Sequence, residues 1–400
     1  MMTPDRTPLR GPTVPHVRER WRMGLEARAL VVLTATLLAF GLASLYSASA
    51  IVAMQEGRGS AYYLLRQISG VLAGAVGFAV LAKVDAERWQ RWAWPLMLLS
   101  LGLMLLTVLP FTESIAPRIN GSRRFLIGSS LQPSELAKLA VIVWTAMLVV
   151  KKGEQMRRLT KGLFPFLVVI GLLALLAVLE PDLSAAMLFL LVMSVILFSG
   201  GVRIGHFVAL GVMGIPVLWH EVERLQYTLL RMTSFFDPGK APQEVSYQLT
   251  QSLIAVGSGG WLGVGFGEGR QQYGFLPLAF NDFVGSNIGE EWGFVGLVVV
   301  VLAYALYAWL GFRIAQHARS PFLRLVAVGL TFTMIVTAYL HIGVVIGLLP
   351  TTGLTLPFIS YGRSNLVLSL AMTGLLANIG STRERVIGER ATDPTLIAVQ

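Results

Sequence analysis

The chain has 400 residues, of which 54% are hydrophobic and only 14% charged, with a formal net charge of +10 and no cysteine. A soluble domain carries roughly 25% charged residues, so this balance excludes one, and the missing cysteines exclude disulfides and thiol catalysis. The five histidines, His16, His206, His220, His317 and His341, show no metal-ligand spacing. The positive charge fits lysine- and arginine-rich cytoplasmic loops better than nucleic-acid binding.

In chain order, residues 1–28 are basic and proline-containing and read as a disordered cytoplasmic arm. Apolar stretches near the ~20 residues that cross a bilayer then recur. They predict spans at 29–53, 63–82, 93–111, 134–150, 163–180, 183–200, 204–219, 292–313, 323–348 and 364–380. The expected fold is an all-α polytopic membrane protein of about ten transmembrane helices, with one long extracytoplasmic loop, 220–291, between spans 7 and 8. Residues 29–380 form one membrane domain and 381–400 a cytoplasmic tail. Ser47-Ala48-Ser49-Ala50 is similar to a signal-peptidase site, but the apolar run before it is long and many spans follow, so an uncleaved anchor is expected. Ten spans put both termini on one side. The junctions of that side and the termini hold 21 of the 32 basic residues, which makes it the cytoplasm.

The basic residues of the other side call for a different explanation. Arg66 and Arg118 read as headgroup-snorkelling side chains. Arg123 and Arg124 follow Asn120-Gly121-Ser122, a turn signal, and offer forked donors to an anion. Arg363 sits in a comparable turn. Pro133 fits the first turn of a helix, and Glu135 and Lys138, three apart, share its face and can pair. An ion pair so near hydrocarbon is a functional candidate, with a structural lock on the fourth span as the alternative. Glu180-Pro181-Asp182 can cap the sixth span or bind a cation; capping is the favoured reading.

In the long loop, 221–236 has the spacing of an interfacial helix. A polar segment containing Gln248 and Gln251 leads into alternating glycines at 263, 265, 267 and 269, read as backbone that approaches a ligand closely. Asp282 follows, between Asn281 and Phe283. Apolar neighbours disfavour its charged form, which moves it toward general-base range; an N-cap is the competing role. Glu290 and Glu291 read as charges complementing a helix N-terminus. The run 349–365, LPTTGLTLPFISYGRSN, contains Ser360. Irregular backbone there must line a cavity or be buried in protein, and it is expected to face the chamber of Asp282.

These segments together resemble the SEDS family, the FtsW/RodA-like proteins of shape, elongation, division and sporulation. The resemblance rests on NGSRRF (120–125), QPSELAKL (132–139), EPDL (180–183), SFFDP (234–238), YQLTQSLIAVGSGG (247–260), LP followed by NDF (276–283), GEEWGF (289–294) and GLLPTTGLTLPFISYG (347–362), and covers about 30 to 380. It implies an inverting peptidoglycan glycosyltransferase of the bacterial inner membrane that polymerises lipid II beside a class B penicillin-binding protein. Undecaprenyl-pyrophosphate-linked glycan is the other substrate, membrane lipids are the surroundings and nucleic acid plays no part. It implies Asp282 as the catalytic residue, Glu135 and Lys138 as supporting residues, and Arg123 and Arg124 at the pyrophosphate; the residues themselves add Arg363 at the pyrophosphate and Gln248, Gln251 and Ser360 as loop contacts. No cofactor is required; a divalent cation, Mg or Mn, could share the leaving group's charge, although the sequence supplies no metal cage. The chain departs from the family at Leu278 and Phe280, where acidic and His or Gln residues are usual, and at Arg363, where a second glycine is usual. A lipid II flippase and a noncatalytic scaffold are the rival readings.

Overall fold

The computed structural model describes residues 16–109, 112, 114, 116–117, 123–126, 131–157, 162–203, 205, 243–277 and 279–388. Ten α-helices run through these residues: α1 (Leu25–Gln55), α2 (Tyr62–Lys83), α3 (Trp89–Val108), α4 (Pro133–Lys152), α5 (Phe164–Leu179), α6 (Leu183–Ser199), α7 (Gln243–Ser258), α8 (Val284–Gln316), α9 (Pro321–Val345) and α10 (Arg363–Ile379). Six of them (α1, α2, α3, α4, α8 and α9) are long and apolar enough to cross a membrane, and α5 and α6 are shorter apolar helices. All but α7 coincide with expected spans. The seventh span, 204–219, and the interfacial helix, 221–236, lie outside the described residues, as do Asn120, Gly121, Ser122, Arg118 and Leu278.

Helix starts follow local chemistry. Ser320 Oγ accepts from Leu323 N at 3.3 Å and Pro321 opens α9; Pro133 opens α4 in the same way. The central helix is α4, whose Trp144 is fully buried between Trp94 of α3 and Phe166 of α5, with ring centroids 5.3 and 5.6 Å away. Helices α2, α3 and α8 instead expose Leu72 and Val76, Leu98 and Leu99, and Leu302 and Leu306. In water each such side chain would cost about 1.5–3 kcal/mol; lipid removes that cost, and tight packing then depends on small residues. A Cβ on Gly74 would lie 2.6 Å from Leu370 Cδ1, so this glycine lets α10 lie against α2.

The bundle has two distinct ends. At one, Gly24 N donates to Gly380 O at 3.1 Å, Arg313 pairs with Glu26 at 3.5 Å and Arg319 with Asp85 at 2.7 Å. Asn378 Nδ2 donates to the carbonyls of Leu81 and Ala82, both at 2.9 Å. The start of α1 and the ends of α2, α8 and α10 therefore share one face. The expectation of a disordered N-terminal arm needs correction here. Residues His16–Met23 form a strand, β1, antiparallel to β2 (Ser381–Gly388), with His16 opposite Gly388 and Met23 opposite Ser381. The cause is tertiary: α1 and α10 place the two flanking segments side by side, and a pair of extended segments can then satisfy each other's backbone groups.

Candidate active site

The opposite end carries the irregular segments and most of the candidate residues. Asp282 is half-buried in the turn before α8. A Cβ on Gly353 would lie 3.6 Å from Asp282 Oδ2, so the carboxylate stands over a residue with no side chain in the α9–α10 connection. Asp282 is not the N-cap of α8. That position is Phe283, without a side-chain cap, and donors of the first turn are engaged elsewhere: Gly285 N with His341 Nε2 at 3.3 Å and Ser286 N with Phe283 O at 2.9 Å.

From Asp282 the contacts close into a ring. Thr352, beside Gly353, accepts from Ser184 Oγ at 2.6 Å. Ser184 lies next to Asp182, whose Oδ1 caps α6 by accepting from Ala185 N at 3.0 Å, the capping role expected for it. Burial pushes the Asp182 carboxyl up, while the Arg124 charge, the Ala185 N–H and Lys138 oppose the shift. Lys138 Nζ pairs with Glu135 Oε2 at 2.7 Å, both buried, as their spacing implies. The same oxygen accepts from Asn365 Nδ2 at 3.3 Å, and Ser364 Oγ accepts from Gln132 N at 3.1 Å. Arg363 and Tyr361 follow on the same strand of chain, and Tyr361 N donates to Phe280 O at 2.9 Å, two residues from Asp282. The ring thus brings together Asp282, Glu135, Lys138, Arg124 and Arg363.

Other predicted residues have local duties. Arg123 Nη1 donates to Leu109 O at 3.3 Å, just past α3. Ser360 is buried; its hydroxyl accepts from Leu356 N at 2.8 Å and its carbonyl from Gln67 Nε2 at 3.1 Å, which folds the 356–360 turn. Gln251 Oε1 accepts from Gln271 Nε2 at 3.1 Å, and Gln248 is half-buried on α7. Phe280 is buried against Tyr63 and Tyr361, with centroids 4.6 and 5.7 Å away, a physical reason for an apolar ring at this position.

Part of the glycine run lies against α8, whereas a Cβ on Gly267 would meet nothing within 4 Å. A Cβ on Gly259 would collide with Gly289 O and one on Gly263 with Glu291 O. Helix α8 breaks at Gly293 (φ 66, ψ −162), and the loop takes up the freed groups. Val264 N and Gly265 N donate to Glu290 O and Glu291 O at 3.0 and 3.2 Å; Phe294 N and Val295 N donate to Gly260 O and Trp261 O at 2.9 and 3.1 Å. Glu290 and Glu291 are likewise more than dipole partners. Glu290 accepts from Arg270 N and Gln271 N at 2.9 and 3.2 Å, and Glu291 accepts from Ser47 Oγ of α1.

Sequence reading missed several residues. His341 is buried and bridges backbone from two segments: Nδ1 donates to Leu354 O at 2.7 Å, which leaves Nε2 to accept from Gly285. Gln67 holds Ser360 O and accepts from Gly362 N at 3.2 Å. Their only signal was a polar side chain inside an apolar span. Glu180, read together with Asp182 as a cap of the sixth span or a cation ligand, is buried and accepts from Thr107 Oγ1 of α3. Burial pushes its carboxyl up to about 8, opposed by the Thr107 hydrogen bond and the Arg124 charge.

The family of FtsW, RodA and SpoVE, described as cell cycle proteins, matches residues 28–385. A relative from Trichlorobacter lovleyi, named "Probable peptidoglycan glycosyltransferase FtsW", is 36% identical over 367 residues, 91% of this chain and 96% of that one. "Stage V sporulation protein E" of Bacillus subtilis is 35% identical over 352 residues, 88% of this chain and 95% of its own. A solved chain from a study of how a peptidoglycan synthase complex coordinates polymerization and crosslinking matches with a TM-score of 0.73 at 27% identity, over 88% of this chain and 97% of that chain. Fold, site and likeness define a multi-pass membrane glycosyltransferase. The chain belongs to the FtsW/RodA/SpoVE family of cell cycle proteins.

Proposed function

We propose that the chain polymerises lipid II into peptidoglycan glycan strands, in cell division or elongation, with Asp282 as general base. The observation that carries this assignment is the setting of Asp282. Of the ring's carboxylates it alone is half-exposed, over the bare backbone of Gly353, while Glu135 and Asp182 are buried. Asp282 takes the proton from the 4-hydroxyl of the acceptor GlcNAc. That oxygen forms a bond to the anomeric carbon of the lipid-linked donor strand, with inversion, as the bond to diphosphate breaks. Undecaprenyl diphosphate leaves with the electron pair. Arg124, Arg363 and Lys138 lie on the ring to stabilise the developing charge, with Arg123 at its edge.

A class B penicillin-binding protein as partner is supported by the likeness to a chain from a complex that couples polymerization to crosslinking. The end bearing both strands faces the cytoplasm of a bacterial inner membrane, in line with its excess of basic residues. Single engineered cysteines test this cleanly because the chain has none: position 240 should label from outside and position 395 should not. Function is tested by incubating purified protein with lipid II, with and without a class B partner. Glycan polymer is expected. Transbilayer movement of lipid II without polymer would favour the flippase, and neither activity would favour the scaffold.

A further inference from the structure

Asp282 lies in the turn before α8, and the bare backbone it stands over, Gly353, lies in the α9–α10 connection. A base on one loop facing another loop works only while that placement holds, since a shift of about 1 Å can cost about 10²-fold in rate. A side chain of α9 reaches both loops. His341 is almost fully buried near the end of that helix. Its Nδ1 lies 2.7 Å from the carbonyl oxygen of Leu354, the neighbour of Gly353, and its Nε2 lies 3.3 Å from the backbone nitrogen of Gly285 in the first turn of α8. A carbonyl only accepts and a backbone N–H only donates. The ring is therefore neutral and carries its proton on Nδ1.

The start of α8 is shaped for this ring. A Cβ on Gly285 would lie 3.3 Å from His341 Nε2 and 3.2 Å from Val345 Cγ2, so α8 has no side chain where the ring meets its backbone. A second tie holds the same turn: Ser286 Oγ lies 2.6 Å from Ser252 Oγ of α7, which donates to Val345 O at 2.8 Å. That tie joins α7, α8 and α9 and leaves the Leu354 side untouched. We propose that His341 is a positioning residue for the glycosyl transfer: it holds the turn before α8 and the α9–α10 connection at the separation that seats the Asp282 carboxylate over Gly353. This rests on the polymerase reading above. An imidazole carries its donor and its acceptor on opposite edges of one rigid ring. Asparagine can place a donor where Nδ1 stands and glutamine an acceptor where Nε2 stands, but neither supplies both.

The test uses the purified full chain with lipid II and a class B partner. His341→Asn keeps the bond to Leu354, and His341→Gln keeps the bond to Gly285. Each should lower kcat by about tenfold or more with KM for lipid II within about twofold, because substrate still binds and only the base is displaced. Hydrogen exchange read by mass spectrometry should quicken over 283–286 and 353–355 in both variants. Against the residual rate of Asp282→Asn, the same two changes should cost less than about twofold, since a side chain acting through Asp282 then has nothing left to position. Ser252→Ala, which cuts the other tie, should lower the unfolding temperature and leave kcat within about twofold. Unaltered kcat or unaltered exchange in both His341 variants overturns the proposal. So does a rise in KM in place of the fall in kcat, or the full loss repeated in the Asp282→Asn background. An equal kcat loss in Ser252→Ala overturns it as well, because any loosening at the start of α8 would then suffice. A wild type that makes no polymer, with exchange still quickened in both variants, would sink the polymerase reading and leave the placement of Asp282 by His341 standing. Polymer made by both variants at the wild-type rate would do the reverse.

Discussion

Asp282 and the pair Glu290–Glu291 lie in one short stretch of chain, and the structure uses them oppositely. Asp282 is half-buried over Gly353 and sits one residue ahead of the cap of α8. Glu290 and Glu291 are almost fully buried; one accepts two backbone N–H groups of the glycine loop and the other a hydroxyl from α1. Buried carboxylates held in this way lock segments together, because removing them strands donors that water cannot reach. A carboxylate at the rim of a chamber keeps access to a substrate proton. Exposure of the carboxylate, rather than its place in the sequence, sets Asp282 apart from the two glutamates.

The contrast is tested most strongly at Asp282. Asp282→Asn should lower the polymerisation rate by about 10² to 10⁴ with lipid II binding and thermal stability unchanged. An asparagine variant as fast as wild type would end the distinction. Next in size is Lys138→Met, which strands the buried Glu135 carboxylate. Breaking a buried pair costs about 3–5 kcal/mol, seen as a loss of folded protein in detergent. The double variant Glu135→Gln/Lys138→Met should recover most of that stability; recovered activity as well would reduce the pair to a structural lock.

Glu290→Ala probes the other pole. It orphans two backbone N–H groups, each worth about 1–3 kcal/mol when buried. The expected result is a lower unfolding temperature with an unchanged rate per folded molecule, and a rate loss without destabilisation would contradict it. The smallest effect concerns Glu180. Its carboxyl is pushed by burial from 4.5 to about 8, so between those values the folded chain holds a proton that the unfolded chain has released. Stability from this group therefore falls as pH rises from about 4.5 to about 8 and is level outside that window. Glu180→Gln should flatten the slope in a thermal-shift series from pH 5 to pH 8; an unaltered slope would place its origin elsewhere.

Much of the architecture was legible before any coordinates. A bilayer demands about twenty apolar residues per crossing, so hydropathy marks nine of the ten expected spans where helices are described. Short-range chemistry was legible too. The Glu135–Lys138 pair follows from helical spacing and the Asp182 cap from its place before an apolar run. Each depends on residues a few positions apart, whose geometry the local backbone dictates.

The site was only partly legible because its contacts span great lengths of chain. Gln67 meets Ser360 across 293 positions and Ser184 meets Thr352 across 168. No periodicity encodes such partners; they are set when α2 packs on α10 and when the α9–α10 connection settles over α6. Part of the glycine run packs on α8, because the break at Gly293 frees backbone groups for it to satisfy. The segment before α1 showed no order by itself and became a strand because the end of α10 lies beside it. By itself the sequence determined which segments enter the membrane and which residues pair within a turn of helix. The tertiary structure decided which buried polar groups face one another, because an unsatisfied backbone or carboxylate in a low-dielectric interior costs enough to select its partner from anywhere in the chain.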